Sequence, residues 1–202
     1  VGTPILLGLN TELKLSFAAI TSTGSQLTME GKTAESAYTN NVYTDFSANA
    51  ATLSARKSWN LGFYQGGQYR VILNHSYQSS AAATAKTDIT AVTLADTASV
   101  TDLNFAPGAE GSLALCDYWD GDLNKTSIAE VSATESQNKV YLVSFEGSKA
   151  KNQWYKVKIN RNSEGYKVQF ARIGETTIQS IDIPKNADYN FSFLSLETAK
   201  LV

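Results

Sequence analysis

The chain has 202 residues, 17 Lys and Arg against 19 Asp and Glu, a net charge of -2, and one each of His, Met and Cys. That charge gives no general attraction to nucleic acid or anionic lipid, and one Cys cannot close an internal disulfide. No run approaches the roughly 18 apolar residues of a spanning helix, and the length is enough to bury roughly 70% of the unfolded surface without a disulfide.

Charged residues make up only 18% of the chain, and Thr, Ser, Asn and Ala are abundant. This favours an exported β protein over a cytosolic helical one. Val1-Gly2-Thr3-Pro4 reads as a mature or trimmed start, and Ile5 to Leu9 is too short for an export signal.

The first alternation of apolar and polar residues predicts a strand over 13–17. A second, over 27–31, carries Met29. Strands are expected over 43–47 and 53–56, separated by Asn49-Ala50, then over 59–63 and 69–73, separated by Gln65-Gly66-Gly67-Gln68. Two long loops follow. Residues 76–88 are rich in Ser, Ala and Thr, with 81–86 also able to form a helical turn, and 95–111 contain Pro107-Gly108.

Further strands are expected over 112–115 and 139–145. In 155–160, Tyr155, Val157 and Ile159 alternate with Lys156 and Lys158, which predicts one face on a core and one in water. Asn162-Ser163-Glu164-Gly165 supplies a turn in which Gly can take positive φ, and 166–171 completes a hairpin. Over 177–183 the alternation slips by one residue between Ile178 and Ile181, which predicts a bulge; Pro184 ends that strand, and 189–193 forms the last. Turn signals recur about every 8 to 15 residues, without repeat or linker. The expected fold is therefore all-β, an antiparallel sandwich-like single domain over 1–202 with a C-terminal meander.

Three early segments run in order: Tyr43-Thr44-Asp45-Phe46-Ser47, Arg56-Lys57-Ser58-Trp59-Asn60-Leu61-Gly62-Phe63 and Tyr69-Arg70-Val71-Ile72-Leu73-Asn74. Val140-Tyr141-Leu142-Val143, Trp154-Tyr155-Lys156-Val157-Lys158-Ile159 and a closing aromatic strand follow. In order and spacing, from about residue 40 to 197, this set resembles the HmuY family, with Asn60 where the family usually has Asp. The resemblance implies an all-β protein exported by Gram-negative anaerobes, often as an outer-membrane lipoprotein. It further implies that the protein binds haem and passes it to a TonB-dependent transporter. In the family, haem iron sits between two His or two Met. The comparable stretches here, about 116–128 and 145–154, contain neither, so the paired ligand set does not carry over.

The candidate haem contacts are thus His75, Met29, Cys116, Tyr118 and Trp119. Imidazole, thioether, thiolate and phenolate all ligate haem iron, and Tyr118-Trp119 can stack on a flat ligand. Each also has a plain structural reading: a loop histidine, a gap-filling Met, a small buried Cys. Asp117, Asp120 and Asp122 raise a calcium reading but lack the spacing and distal Glu of an EF-hand, so a solvated acidic loop is expected. There is no nucleophile elbow, zinc-protease helix, phosphate loop or dinucleotide fingerprint, so no enzyme is expected. The expected partners are haem or another porphyrin and a transporter, without nucleic acid, and with a membrane reached only through a lipid anchor. The alternative is the same fold binding a different ligand or partner.

Overall fold

The computed structural model describes residues 24–29, 38–100, 115–146 and 150–202. The predicted strand over 13–17, the Pro107-Gly108 turn and most of 112–115 lie outside them. Leu115 itself is in a turn.

Among the described residues the structure is antiparallel β-sheet with short 3-10 turns. Strands β1 (Asn40–Asp45) and β2 (Ala50–Ala55) form a two-stranded sheet, pairing among the described residues with each other alone. Asp45 ends β1: its Oδ1 accepts the amides of Ser47 and Ala48, at 2.9 and 3.0 Å, and Asn49 takes φ 51° to reverse the chain. Residues 24–29 run beside this hairpin without regular structure, so Met29 is not on a strand.

A four-stranded sheet follows the order β11-β10-β3-β4, from β3 (Leu61–Tyr64), β4 (Val71–Leu73), β10 (Phe191–Ser195) and β11 (Lys200–Leu201). A five-stranded sheet runs β5-β6-β7-β8-β9, from β5 (Ser80–Ala83), β6 (Val140–Ser144), β7 (Tyr155–Arg161), β8 (Gly165–Arg172) and β9 (Gln179–Pro184). Leu61, Phe63, Val71 and Leu194 of the first sheet pack on Val143, Val157, Val168 and Phe170 of the second in one core. This is the sandwich the alternation predicts, and each fully buried side chain of that size contributes about 1.5–3 kcal/mol.

Several further expectations change. Residues 80–83 form β5 instead of a loop or helical turn. Small Ser and Ala side chains let it pair with β6, Ser80 opposite Ser144 and Ala83 opposite Tyr141. The meander is β5 to β9; β10 leaves it to pair with β3, Phe193 opposite Gly62. No bulge is needed in β9, whose register with β8 is continuous from Phe170–Gln179 to Gly165–Pro184; Ile178 simply precedes the strand. Gly165 does not take positive φ. It is needed because a Cβ there would strike the Ile183 carbonyl and approach Lys185 N at 2.9 Å.

The outer face of β7 is also not in water. A strap over residues 88–100, with 3-10 turns at Ile89–Ala91 and Leu94–Ser99, crosses it. Ile89 and Val92 of the strap pack on Val140, Leu142, Trp154 and Ile173 in a second cluster. Lys156 and Lys158 are buried beneath it.

Candidate ligand-binding site

The end of β4 is turned sharply by Asn74. Its Nδ2 donates to the carbonyls of Arg56 and Trp59, both at 2.8 Å, and its carbonyl accepts the Tyr77 amide at 3.0 Å. His75–Tyr77 then forms a 3-10 turn closed by Gln78 at φ 51°. Across from it is the base of the β1–β2 hairpin, where the Arg56 amide donates to Thr39 O at 2.8 Å.

Between turn and hairpin opens a cleft of about 870 Å3, whose wall includes Tyr38, Arg56, Lys57, His75, Tyr77 and Glu146. That is within the range of small-molecule sites, about 300–1,000 Å3. Lys57 forms an ion pair with Glu146 and lies 5.3 Å from the centre of the Tyr77 ring. The Tyr77 hydroxyl donates to Glu197 at 3.0 Å. Burial, with the Glu197 charge behind it, pushes the Tyr77 pKa up to about 12, so Tyr77 offers a neutral phenol at neutral pH. The cleft thus combines aromatic wall, imidazole, the Arg56 cation and a Lys57–Glu146 ion pair.

The segment 115–128 docks beside β4 through Asp117. One carboxylate oxygen accepts the Leu73 amide at 2.7 Å and the other the Ser127 amide at 2.9 Å. Burial raises the Asp117 pKa, opposed by these hydrogen bonds and, to a lesser degree, by nearby His75. His75 and the Cys116-Asp117 pair therefore share one neighbourhood. Cys116 is buried, and burial, followed by the Asp117 charge, raises its pKa, which favours the thiol over the thiolate.

Tyr118 and Trp119 are exposed, at 38% and 68%, and stack on each other with ring centres 4.8 Å apart. Lys125 Nζ sits 4.8 Å from the Tyr118 ring centre. The same ammonium bonds Asp120 at 2.6 Å and lies 3.8 Å from Asp122, so the acidic loop carries its own cation. Among the described residues no group of three or more His, Cys, Asp or Glu is placed to hold a metal ion. Met29 is half exposed, and its sulfur accepts a hydrogen bond from Thr44 Oγ1 of β1 at 2.8 Å.

Of the five sequence candidates, His75 lines the cleft. Cys116 is adjacent through Asp117, the Tyr118–Trp119 pair stands on the outer part of the same segment, and Met29 lies against the hairpin. Arg56, Lys57, Tyr77 and Glu146 were not singled out from sequence. Their only local signal is that Arg56-Lys57 precedes Trp59 in the quoted motif; Glu146 reaches the cleft through folding alone, its amide donating to Tyr77 O at 2.8 Å.

Among the described residues no helix is long and apolar enough to cross a membrane, which says nothing of strands. Neither the curated proteins nor the solved structures include a match to this chain. A family model described as HmuY protein matches residues 37–191, a span that begins just before β1, contains the cleft lining and β1 to β9, and ends at the first residue of β10. The chain belongs to the HmuY family.

Proposed function

We propose that this chain is a non-enzymatic, exported haem- or porphyrin-binding protein, folded as one domain over 1–202, that serves iron or haem acquisition. The observation that carries the reading is the cleft between the hairpin and the His75 turn. His75 offers an imidazole as axial ligand, the exposed Tyr38 ring offers flat apolar contact, and Arg56 suits a carboxylate of a porphyrin edge, with Lys57 joining it only by exchanging Glu146 for the ligand.

The donor set fits haem held by one axial side chain. Cys116 is disfavoured as a thiolate by its burial, and the Met29 sulfur already accepts a hydrogen bond on the hairpin. When bound, haem supplies the iron centre. The residues of the chain bind, orient and partly shield it. Single ligation in an open cleft suits release to a partner, for which a TonB-dependent outer-membrane transporter is the proposed class. An outer-membrane surface location through a lipid anchor completes the reading.

The second reading is the family scaffold turned to another planar ligand or a protein partner. It is favoured by the exposed Tyr118–Trp119 stack, which lies in the stretch corresponding to the family's ligand region and outside the His75 cleft.

An absorbance titration with hemin, with and without dithionite, separates the two. A saturable Soret band that His75→Ala abolishes and Cys116→Ala leaves intact supports the cleft. A featureless baseline in both redox states sinks the haem reading. A Soret band lost with Tyr118→Ala instead would move the site to the aromatic stack.

A further inference from the structure

Lys156 lies on the outer face of β7, between Leu142 of β6 and Ala171 of β8 in the register of the sheet. It is only 4% exposed. Its Nζ donates to the carbonyl of Val92 in the strap at 3.1 Å. Among the described residues this carbonyl is its one hydrogen-bond acceptor, and no carboxylate lies within ion-pair distance. The contrast with the next lysine on the same face is direct: Lys158 pairs with Glu135 at 3.4 Å. A buried ammonium without a counter-charge costs several kcal/mol in desolvation, and one neutral carbonyl leaves two of its three donors unused.

The space beside this ammonium is a pocket of about 440 Å3 at the edge of the strap. Val92, Leu94 and Ile173 form apolar wall, Gly174 and Glu175 form part of the mouth, and Lys156 lines it. Glu175 is exposed, and its Oε2 accepts the Arg172 amide at 3.3 Å. A second negative charge on a ligand would meet that carboxylate, so the pocket suits a single one. A buried, unneutralised cation in a small apolar pocket is the complement of one carboxylate on a short apolar body.

We propose that the Lys156 pocket binds a monocarboxylate with a short aliphatic or aromatic body. The carboxylate takes the free N–H groups of Lys156 as charge-assisted hydrogen bonds, and the body lies along Val92, Leu94 and Ile173. The site is on the face of the five-stranded sheet away from the shared core, so it stands or falls apart from the haem reading.

The test is calorimetric titration of the whole chain with octanoate, with neutral octanamide as the control of equal length. Octanoate is expected to bind saturably, and octanamide about tenfold or more weaker, since a hydrogen bond to a charged group is worth about 1.5–3 kcal/mol and 1.4 kcal/mol is a factor of about ten. Lys156→Met is expected to erase the difference between the two probes, and Lys156→Arg to retain it in part. Gly174→Phe gives an independent arm: a Cβ at Gly174 meets nothing within 4 Å, so the ring can block the mouth without disturbing the strap. It is expected to abolish octanoate binding with an unchanged thermal midpoint. Glu175→Gln is expected to tighten octanoate a few-fold. Equal affinity for octanoate and octanamide, full octanoate affinity in Lys156→Met or Gly174→Phe, or no saturable octanoate binding by the wild-type chain each overturns the proposal.

Discussion

The two faces of β7 are both buried, yet they are held by different physics. On the inner face Tyr155, Val157 and Ile159 meet the four-stranded sheet in a continuous apolar core. On the outer face the strap is fastened in large part by lysines donating to its carbonyls. Lys86 bonds Ala91 O at 2.7 Å, Lys156 bonds Val92 O at 3.1 Å, and Lys151 bonds Thr97 O at 2.9 Å and Val100 O at 3.2 Å. The inner face is non-directional and tolerates no loss of volume. The outer face is directional, so it can loosen locally while the sandwich stays closed.

The largest test of that contrast is Phe170→Ala on the inner side of β8. Truncating this fully buried ring is expected to cost about 3–5 kcal/mol in denaturant unfolding, with every probe moving together. A loss below about 1 kcal/mol would mean that the inner face is not the main support of the fold. Gly165→Ala comes next, at about 1–3 kcal/mol, because the new Cβ has to displace the backbone of β9. An unchanged unfolding midpoint would refute that close approach.

Lys156→Met sharpens the comparison from the other side. Replacing a buried charge with an apolar chain of similar length is expected to leave global stability unchanged or raised by about 1 kcal/mol. Amide exchange over the strap, residues 88–100, is expected to quicken all the same, because the Val92 anchor is gone. Exchange that stays as slow as in the wild type would show that the apolar cluster alone holds the strap.

The smallest effect is in pH. Hydrogen bonding to Lys86, then to the Thr93 amide, lowers the Asp96 pKa below 3.8, so its contribution is full above that value and is lost as pH falls through the lowered one. Acidification is therefore expected to speed amide exchange in the strap before it touches β7 and β8. Asp117 has the opposite sign. Its pKa is raised above 3.8 by burial, so its contribution is present below 3.8 and is lost as pH rises through the raised value. Asp117→Asn is expected to gain on the wild type in thermal midpoint as pH rises from 4 to 7; a constant difference would contradict that.

The same two faces explain what was legible in the sequence. The alternation in 155–160 and 166–171 gives the hairpin and its core side directly, since a period of two needs no tertiary knowledge. It also assigns Lys156 and Lys158 to water, because nothing local announces a strap that arrives from residues 88–100. Ser80-Ala81-Ala82-Ala83 has no β signal of its own and becomes a strand by pairing with β6. At the cleft, His75 could be named as a lone imidazole, and Tyr118-Trp119 as a pair by adjacency. Glu146 could not, because only a long-range contact with Tyr77 brings it to the His75 turn; Tyr77 lies within that turn but carries no local sign that it faces a cleft.

The departure of β10 from the meander sets an order of assembly. Strands β6 to β9 are joined by local connections and can form as soon as they exist. The four-stranded sheet cannot, since β3 waits for β10; Asn60 Oδ1 accepts the Leu196 amide from 136 positions further along the chain. Closing so long a loop is slow and comes late. Until the last dozen residues arrive, Leu61 and Phe63 lack one neighbouring strand, and the frame around the His75 turn is incomplete. Residues 191–201 therefore act as a latch on the four-stranded sheet, which shuts only once β10 reaches β3.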